Sequence, residues 1–261
     1  MNQSIEHILA QKLAKREEKN NLRKLNLDFA EIDFFSNDYL GLARNADLQK
    51  NIAQEYHALH SKNGATGSRL LSGNSKYVVN LEQKLAFIFK TEAALTFNTG
   101  FTANSSLISS VCQRGDTILY DELVHASLKE GMRLSFAKRF SFKHNDLQDL
   151  KKRLKKAQGQ VFILVESLYS MDGDLVPLAK LVQLSKKYKA HIILDEAHST
   201  GVYGANGSGV ACDLGLEKEI FARVHTFGKA IGSQGACVVG SQILIDYLVN
   251  FALGFIYTTA L

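Results

Sequence analysis

Four apolar runs in the chain end on residues able to do chemistry. Ala93–Phe97 is followed by Asn98-Thr99-Gly100-Phe101-Thr102, and Val161–Val165 by Glu166-Ser167. His191–Leu194 is followed by Asp195-Glu196-Ala197-His198, and Ala222–His225 by Thr226-Phe227-Gly228-Lys229. Singly, each tail has an ordinary structural reading. An aspartate after a strand often caps the next helix. A lysine there is ordinarily surface, and Asn-Thr-Gly before a helix is a common turn and cap.

Together the tails meet the requirements of a pyridoxal phosphate site. Such a site needs a lysine amine to bond the cofactor and a carboxylate to keep its pyridine nitrogen protonated. It also needs a flat group against the ring, and amides and hydroxyls at a helix N-terminus for the phosphate. Lys229 can be the amine, Asp195 the carboxylate and His125 the flat partner, while Gly100, Phe101 and Thr102 open a helix. Rival motifs fail. Asp195–His198 spells DEAH, but the only Gly-Lys, Gly228-Lys229, has Arg223 where a phosphate-loop glycine belongs and Ala230 after it. Gly204–Gly209 does not fit a dinucleotide fingerprint, and in Asp172-Gly173-Asp174 the glycine comes too early for a calcium loop.

For these residues to meet, the apolar runs must lie side by side as strands. Further runs suited to buried strands are Thr117–Tyr120 and Ala236–Val239, and helical patterns cover Thr102–Cys112, Leu123–Ser135 and Leu178–Tyr188. Strands alternating with helices indicate a parallel α/β sheet covered on both faces. Ligands of such sheets sit beyond the carboxyl ends of the strands. Residues 5–22 read as a charged amphipathic helix and 33–44 as a loop.

The chain of 261 residues is 46% hydrophobic with a single proline, enough for one large core and unlike a disordered chain. Cys112, Cys212 and Cys237 are scattered and odd in number. They read as reduced, buried thiols of a cytoplasmic protein, with no disulfide frame and no metal site. Met1–Ala10 has no apolar signal core, and Tyr247–Tyr257 is too short to span a bilayer, so no membrane partner is expected. The basic run Lys151–Lys156 reads as the wet face of a surface helix, and no nucleic-acid partner is expected. The net charge of +5 gives a mild field that helps recruit a polyanion such as coenzyme A.

The chain resembles the α-oxoamine synthases, pyridoxal-phosphate enzymes of the aspartate aminotransferase fold type. The resemblance lies in SNDYLGL (36–42), GATGSRLLSGNS (64–75), FNTGFTAN (97–104), HAS (125–127), YSMDGD (169–174), DEAHSTGVYGANGSG (195–209), HTFGKAIGSQGA (225–236) and FIYTTAL (255–261). It implies the large domain of a pyridoxal-phosphate transferase, an α/β fold whose mostly parallel sheet is sandwiched by helices. It implies a homodimeric acyltransferase that joins an amino acid to an acyl thioester with loss of carbon dioxide. GSRLLSGNS and HTFGKAIGSQGA resemble most the branch serving biotin synthesis, which takes L-alanine and a pimeloyl thioester of coenzyme A or a carrier protein. The alternatives are branches using glycine or serine, or an inactive truncated binding module.

Residue by residue, the resemblance implies Lys229 as the amine that bonds the cofactor and moves the α-proton, and Asp195 as the partner of the pyridine nitrogen. His198 then contacts the ring hydroxyl and His125 stacks on the ring, both acting in catalysis. Gly100, Phe101 and Ser170 lie beside the cofactor, Thr226 reaches its phosphate, and Asn37 and Arg23 bind substrate. The bland alternatives are satisfied core histidines at 125 and 198, a turn cap at Ser170 and an Asx turn at Asn37. The chain stops at Leu261 inside FIYTTAL, where the resemblance implies continuation into a carboxy-terminal small domain. The expected organisation is an N-terminal helix and loop (1–44), a large cofactor domain (45–245) and the start of a link to that missing domain (246–261). An opened pocket that binds cofactor weakly is then expected, with Thr258 and Thr259 approaching a neighbouring copy's phosphate.

Overall fold

A computed structural model describes residues 4–25, 27, 31–59 and 63–261; Met1 to Gln3 of the N-terminal stretch read above lie outside them. Residues 1–36 form one compact unit and 37–261 another. The first holds helix α1 (Ile5–Glu18), capped by Ser4, whose hydroxyl accepts from the His7 amide. It stops short of the expected residue 22 because Asn20 takes a left-handed φ of 51°.

The second unit runs α2 (Ala46–Ala58), α3 (Lys76–Ile88), β1 (Ala93–Phe97), α4 (Gly100–Val111), β2 (Thr117–Asp121), α5 (Ala126–Leu134), β3 (Lys138–Phe142), α6 (Leu147–Leu154), β4 (Val161–Glu166), α7 (Leu178–Tyr188), β5 (His191–Asp195), α8 (Val210–Asp213), β6 (Ala222–Thr226), β7 (Ala236–Gly240), α9 (Gln242–Phe251) and α10 (Leu253–Ile256). The strands form one sheet in the order β1-β7-β6-β5-β4-β2-β3. Every residue of β1, β4 and β6 is buried. Successive side chains of a strand point to opposite faces, so both faces of the sheet are covered, as expected of a sheet sandwiched by helices. Ile163, Leu164, Ile193 and Leu194 of the central strands share one core with Leu107 of α4, Leu128 of α5 and Leu181 of α7.

β3, β2, β4, β5 and β6 run parallel, while β7 is antiparallel to both β6 and β1. The reversal of β7 makes the sheet mostly rather than wholly parallel, as the resemblance implied. Only residues 227–235 connect it to β6, too few for a parallel crossover. Two reversals return β1 to the direction of β6. The carboxyl ends of β1, β2, β4, β5 and β6 therefore open on one end of the sheet. The basic run sits on α6, which buries Leu150 and Leu154 and leaves Lys152, Lys155 and Lys156 exposed. The three cysteines are free and buried. Among the described residues no helix is long and apolar enough to cross a membrane.

Candidate active site

The strand ends bring the candidate groups together. Glu166 and Asp195 are register partners at the ends of β4 and β5, and Thr226 closes β6 next to them. Lys229 follows on the loop after β6, and its Nζ lies 2.7 Å from His198 Nε2. Asp195 and Lys229 both act electrostatically on His125, which caps α5 beyond β2.

Two side chains that the sequence reading did not single out hold this cluster in place. Asn104, buried in α4, spends both amide protons: one goes to Asp195 Oδ2 at 2.7 Å and one to Ser127 Oγ at 3.0 Å. Ser127 Oγ in turn lies 2.8 Å from His125 Nδ1, which also accepts from the Ser127 amide. Nδ1 is therefore an acceptor, and the neutral His125 ring carries its proton on Nε2. Burial lowers the proton affinity of His125, with Asp195 opposing and Lys229 reinforcing, which favours that neutral form. Asp195 Oδ1 accepts from the Ala197 amide at 2.8 Å, so the carboxylate is fixed at both oxygens.

A second chain of hydrogen bonds runs from Lys229 outward. The amine donates to His198 Nε2, His198 Nδ1 lies 2.8 Å from the Tyr39 hydroxyl, and that hydroxyl donates to Asn37 Oδ1 at 2.9 Å. His198 is pushed down to about 4 by burial and by the charges of Lys229 and His125, so at neutral pH its ring is uncharged. The hydroxyl's own proton goes to Asn37, so the His198 proton sits on Nδ1. Burial also lowers the proton affinity of Lys229, against the opposing pull of Asp195 and Glu166. Tyr39 belongs to the quoted SNDYLGL segment; only its distant partner, 159 positions along the chain, reveals a role.

Glu166, named above only as a strand-end residue, also has a role that the sequence reading did not assign. Its carboxyl accepts from the His125 amide and is buried beside Asp195. Burial and the Asp195 charge push it up to about 8. Glu196 of the DEAH segment, by contrast, is structural. It is fully buried and accepts from the Val210 and Ala211 amides at 2.9 Å each, and from the Ser199 hydroxyl. Gly209 lies so close to that carboxylate that an added Cβ would stand 2.7 Å from Glu196 Oε2.

The arrangement fits pyridoxal phosphate on three counts. Its donor set is an amine, a fixed carboxylate and two neutral imidazoles. Thr99 caps α4 through the Thr102 amide, leaving the amides of Gly100 and Phe101 without a carbonyl in the helix, as at any helix start. A Cβ on Gly100 would stand 3.3 Å from Thr226 Oγ1, so glycine lets the helix start close against the Thr226 hydroxyl. Finally, Asn104 Oδ1 is buried with no partner among the described residues. An apolar cavity of about 510 Å³ lies nearby, lined by Leu81, Leu85, Phe89, Phe97, Phe227 and Ile231. Neither Lys229 nor Asp195, His125 or His198 lines it, so the chemistry is not placed there.

The remaining expected residues lie further out. Phe101 is exposed on α4, and Ser170 is exposed on the loop after β4, its hydroxyl making no hydrogen bond among the described residues. Asn37 is exposed and, among the described residues, reaches the cluster through Tyr39. Arg23 is exposed in the separate unit of residues 1–36. Thr258 lines the apolar cavity, and the Thr259 carbonyl accepts from Asn98 of its own chain at 2.8 Å.

Residues 30–261 match the family described as aminotransferase class I and II. The chain belongs to that family, among its pyridoxal-phosphate-dependent α-oxoamine synthases. It is 43% identical to the 8-amino-7-oxononanoate synthase of Emericella nidulans over 97% of this chain and 66% of that one. It is 45% identical to the enzyme of that name from Lysinibacillus sphaericus over 87% of this chain and 59% of that one. The chain thus spans about two thirds or less of the length of these relatives. Among solved structures it is similar to Sphingomonas wittichii serine palmitoyltransferase (TM-score 0.87, 29% identity, 99% of this chain and 69% of that one). It is also similar to the 8-amino-7-oxononanoate synthase of Francisella tularensis (TM-score 0.76, 32% identity, 90% of this chain and 65% of that one).

Proposed function

We propose that this chain is the cofactor-binding part of an acyltransferase that condenses L-alanine with a pimeloyl thioester of coenzyme A or a carrier protein, releasing the thiol and carbon dioxide. The convergence of Lys229, Asp195, His125 and His198 on one end of the sheet, against the start of α4, carries this reading. When bound, pyridoxal phosphate supplies the electron sink for negative charge at the α-carbon of an amino acid.

The chain's own residues do the rest. Lys229 bonds the cofactor and moves the proton at the substrate α-carbon; its lowered proton affinity leaves more free amine to act as base. Asp195, fixed by Asn104 and the Ala197 amide, keeps the pyridine nitrogen protonated. His125 is the flat partner of the ring. His198 holds Lys229 and would contact the ring hydroxyl of the bound cofactor. The amides of Gly100 and Phe101, with the Thr226 hydroxyl, take the phosphate. Ser170 lies beside the cofactor, and Asn37 and Arg23 bind substrate. The working assembly is a cytoplasmic homodimer in which residues 45–245 are the large domain and 246–261 lead into a small one.

A serine-using reaction is the second reading, favoured by the likeness to serine palmitoyltransferase. Exchange of the α-proton into deuterated water, followed by NMR for L-alanine, glycine and L-serine with pyridoxal phosphate present, separates the two. Fastest exchange with alanine is expected. Fastest exchange with serine or glycine would move the chain to a sister branch, and no exchange with any of them would leave a binding module.

A further inference from the structure

A second cluster of titratable groups flanks the site and takes no part in the roles above. His144, on the turn after β3, is held between two carboxylates. Its Nδ1 lies 3.0 and 3.1 Å from the two oxygens of Asp121, which is fully buried at the end of β2. Its Nε2 lies 2.9 Å from Asp174 Oδ2, on the loop after β4. Neighbouring Asn145 takes a left-handed φ of 52°, which lets it reach both carboxylates. Its amide donates to Asp121 Oδ2 at 2.8 Å and its side chain to Asp174 Oδ2 at 2.6 Å.

Both ring nitrogens of His144 face carboxylate oxygens. A neutral imidazole has one donor and one lone pair, so only the imidazolium serves both contacts. The segment anchored through Asp174 is short and closed. Leu168 bridges Leu175, the Tyr169 amide donates to the Asp174 carbonyl, and the Val176 amide donates to the Ser167 carbonyl. Ser170 lies on this segment. The other carboxylate, Asp121, also accepts from the Leu123 amide on the path to His125.

We propose that His144 is a positioning residue whose doubly protonated ring fastens the Leu168–Leu175 loop, with Ser170 on it, to the end of β2 that leads to His125. This rests on the reading of Ser170 and His125 as residues beside the cofactor. The groups facing His144 are Asp121, Asp174, the Glu122 carboxylate, which accepts from the His144 amide, and Tyr169, whose ring meets it edge-on at 4.5 Å. Lys129 sits behind Glu122, bonding its carbonyl. Tyr169 stays protonated because burial raises its hydroxyl. Burial opposes the charge on His144, but its hydrogen bonds and attraction to Asp121 and Asp174 outweigh this and raise its proton affinity. The raised value means that the fastening is complete below the ordinary histidine range. It is lost as pH rises through the folded-state value.

The test is hydrogen exchange of the 261-residue chain, together with its dissociation constant for pyridoxal phosphate, both from pH 6 to 9. Amides 169, 173 and 176 are read against amides of β4 and β5 as internal references. The same measurements are made on H144Q and on D174N, whose half-buried side chain keeps its size and an acceptor oxygen. Loop protection is expected to fall by about tenfold across one titration, the size of one lost hydrogen bond to a charged group. The dissociation constant should rise with the same midpoint. H144Q should show the lower, high-pH level of protection at every pH, and D174N should lower the midpoint. Loop protection that is flat with pH, or unchanged in H144Q, would overturn the clamp whatever the cofactor does. A step in protection with equal cofactor affinity in wild type and H144Q would overturn its positioning role. A step in protection with no cofactor binding by wild type would leave the clamp standing and sink the functional reading instead.

Discussion

Replacing Glu166 with glutamine removes an ionisable carboxyl from beside Asp195 while keeping its size and its acceptor for the His125 amide. Glu166 is pushed up to about 8 from an ordinary 4.5, by burial first and the Asp195 charge second. At pH 7 it is then about nine-tenths protonated, and glutamine imitates that neutral form. The folded protein holds this proton more tightly than the unfolded chain, so unfolding releases it. Glu166 therefore subtracts stability as pH rises from about 4.5 to about 8. Each unit in that window is worth about 1.4 kcal/mol, so at pH 7 the subtraction is about 3 kcal/mol. E166Q escapes it. Urea unfolding of the cofactor-free chain, at intervals from pH 4.5 to 8, compares the two. The variant should match wild type at the acid end and exceed it progressively to about 3 kcal/mol at pH 7. A difference constant with pH, or a variant less stable at pH 7, would refute the placement of a protonated carboxyl beside Asp195.

Other substitutions read other parts of the site. N104A strips Asp195 and Ser127 of a shared donor. It should lower stability by about 1–3 kcal/mol in urea unfolding and weaken pyridoxal phosphate binding several-fold by absorbance titration. E196A strands the Val210 and Ala211 amides in the interior. It should cost about 2–5 kcal/mol with no specific loss of cofactor affinity once the remaining folded fraction is counted. G100A pushes a methyl toward Thr226 at the helix start. It should raise the dissociation constant for pyridoxal phosphate about tenfold while moving the melting temperature by only a few degrees.

Much of the sheet was legible because β1 and β4 are buried on both faces and read as largely apolar runs, while β6, equally buried, carries Arg223 and His225 among its apolar residues. β2, β4, β5 and β6 each extend one residue beyond the run read from sequence, so that they end on Asp121, Glu166, Asp195 and Thr226 themselves. β3 was invisible because Lys138, Arg139 and Phe140 are exposed and it pairs only with β2 at the sheet's edge. Lys229, Asp195, His125 and His198 could be picked out because each follows a strand pattern or sits in a recognisable segment. Asn104 and Ser127 could not. They lie inside helices, and Asn104 ties Asp195 to Ser127 across 91 and 23 positions of chain. Tyr39 was hidden in the same way, and Glu166 stood in plain view at a strand end with nothing local to say that it lies against Asp195.

The central claim is that Lys229 bonds pyridoxal phosphate. The direct measurement is the visible spectrum of the purified chain mixed with the cofactor, followed by borohydride reduction and peptide mapping, with K229A alongside. A new visible band, and a pyridoxyl label on the peptide containing Lys229, are predicted for wild type, and neither for the variant. A label confined to other lysines, or a chain that stays colourless even when extended past Leu261, would contradict the account.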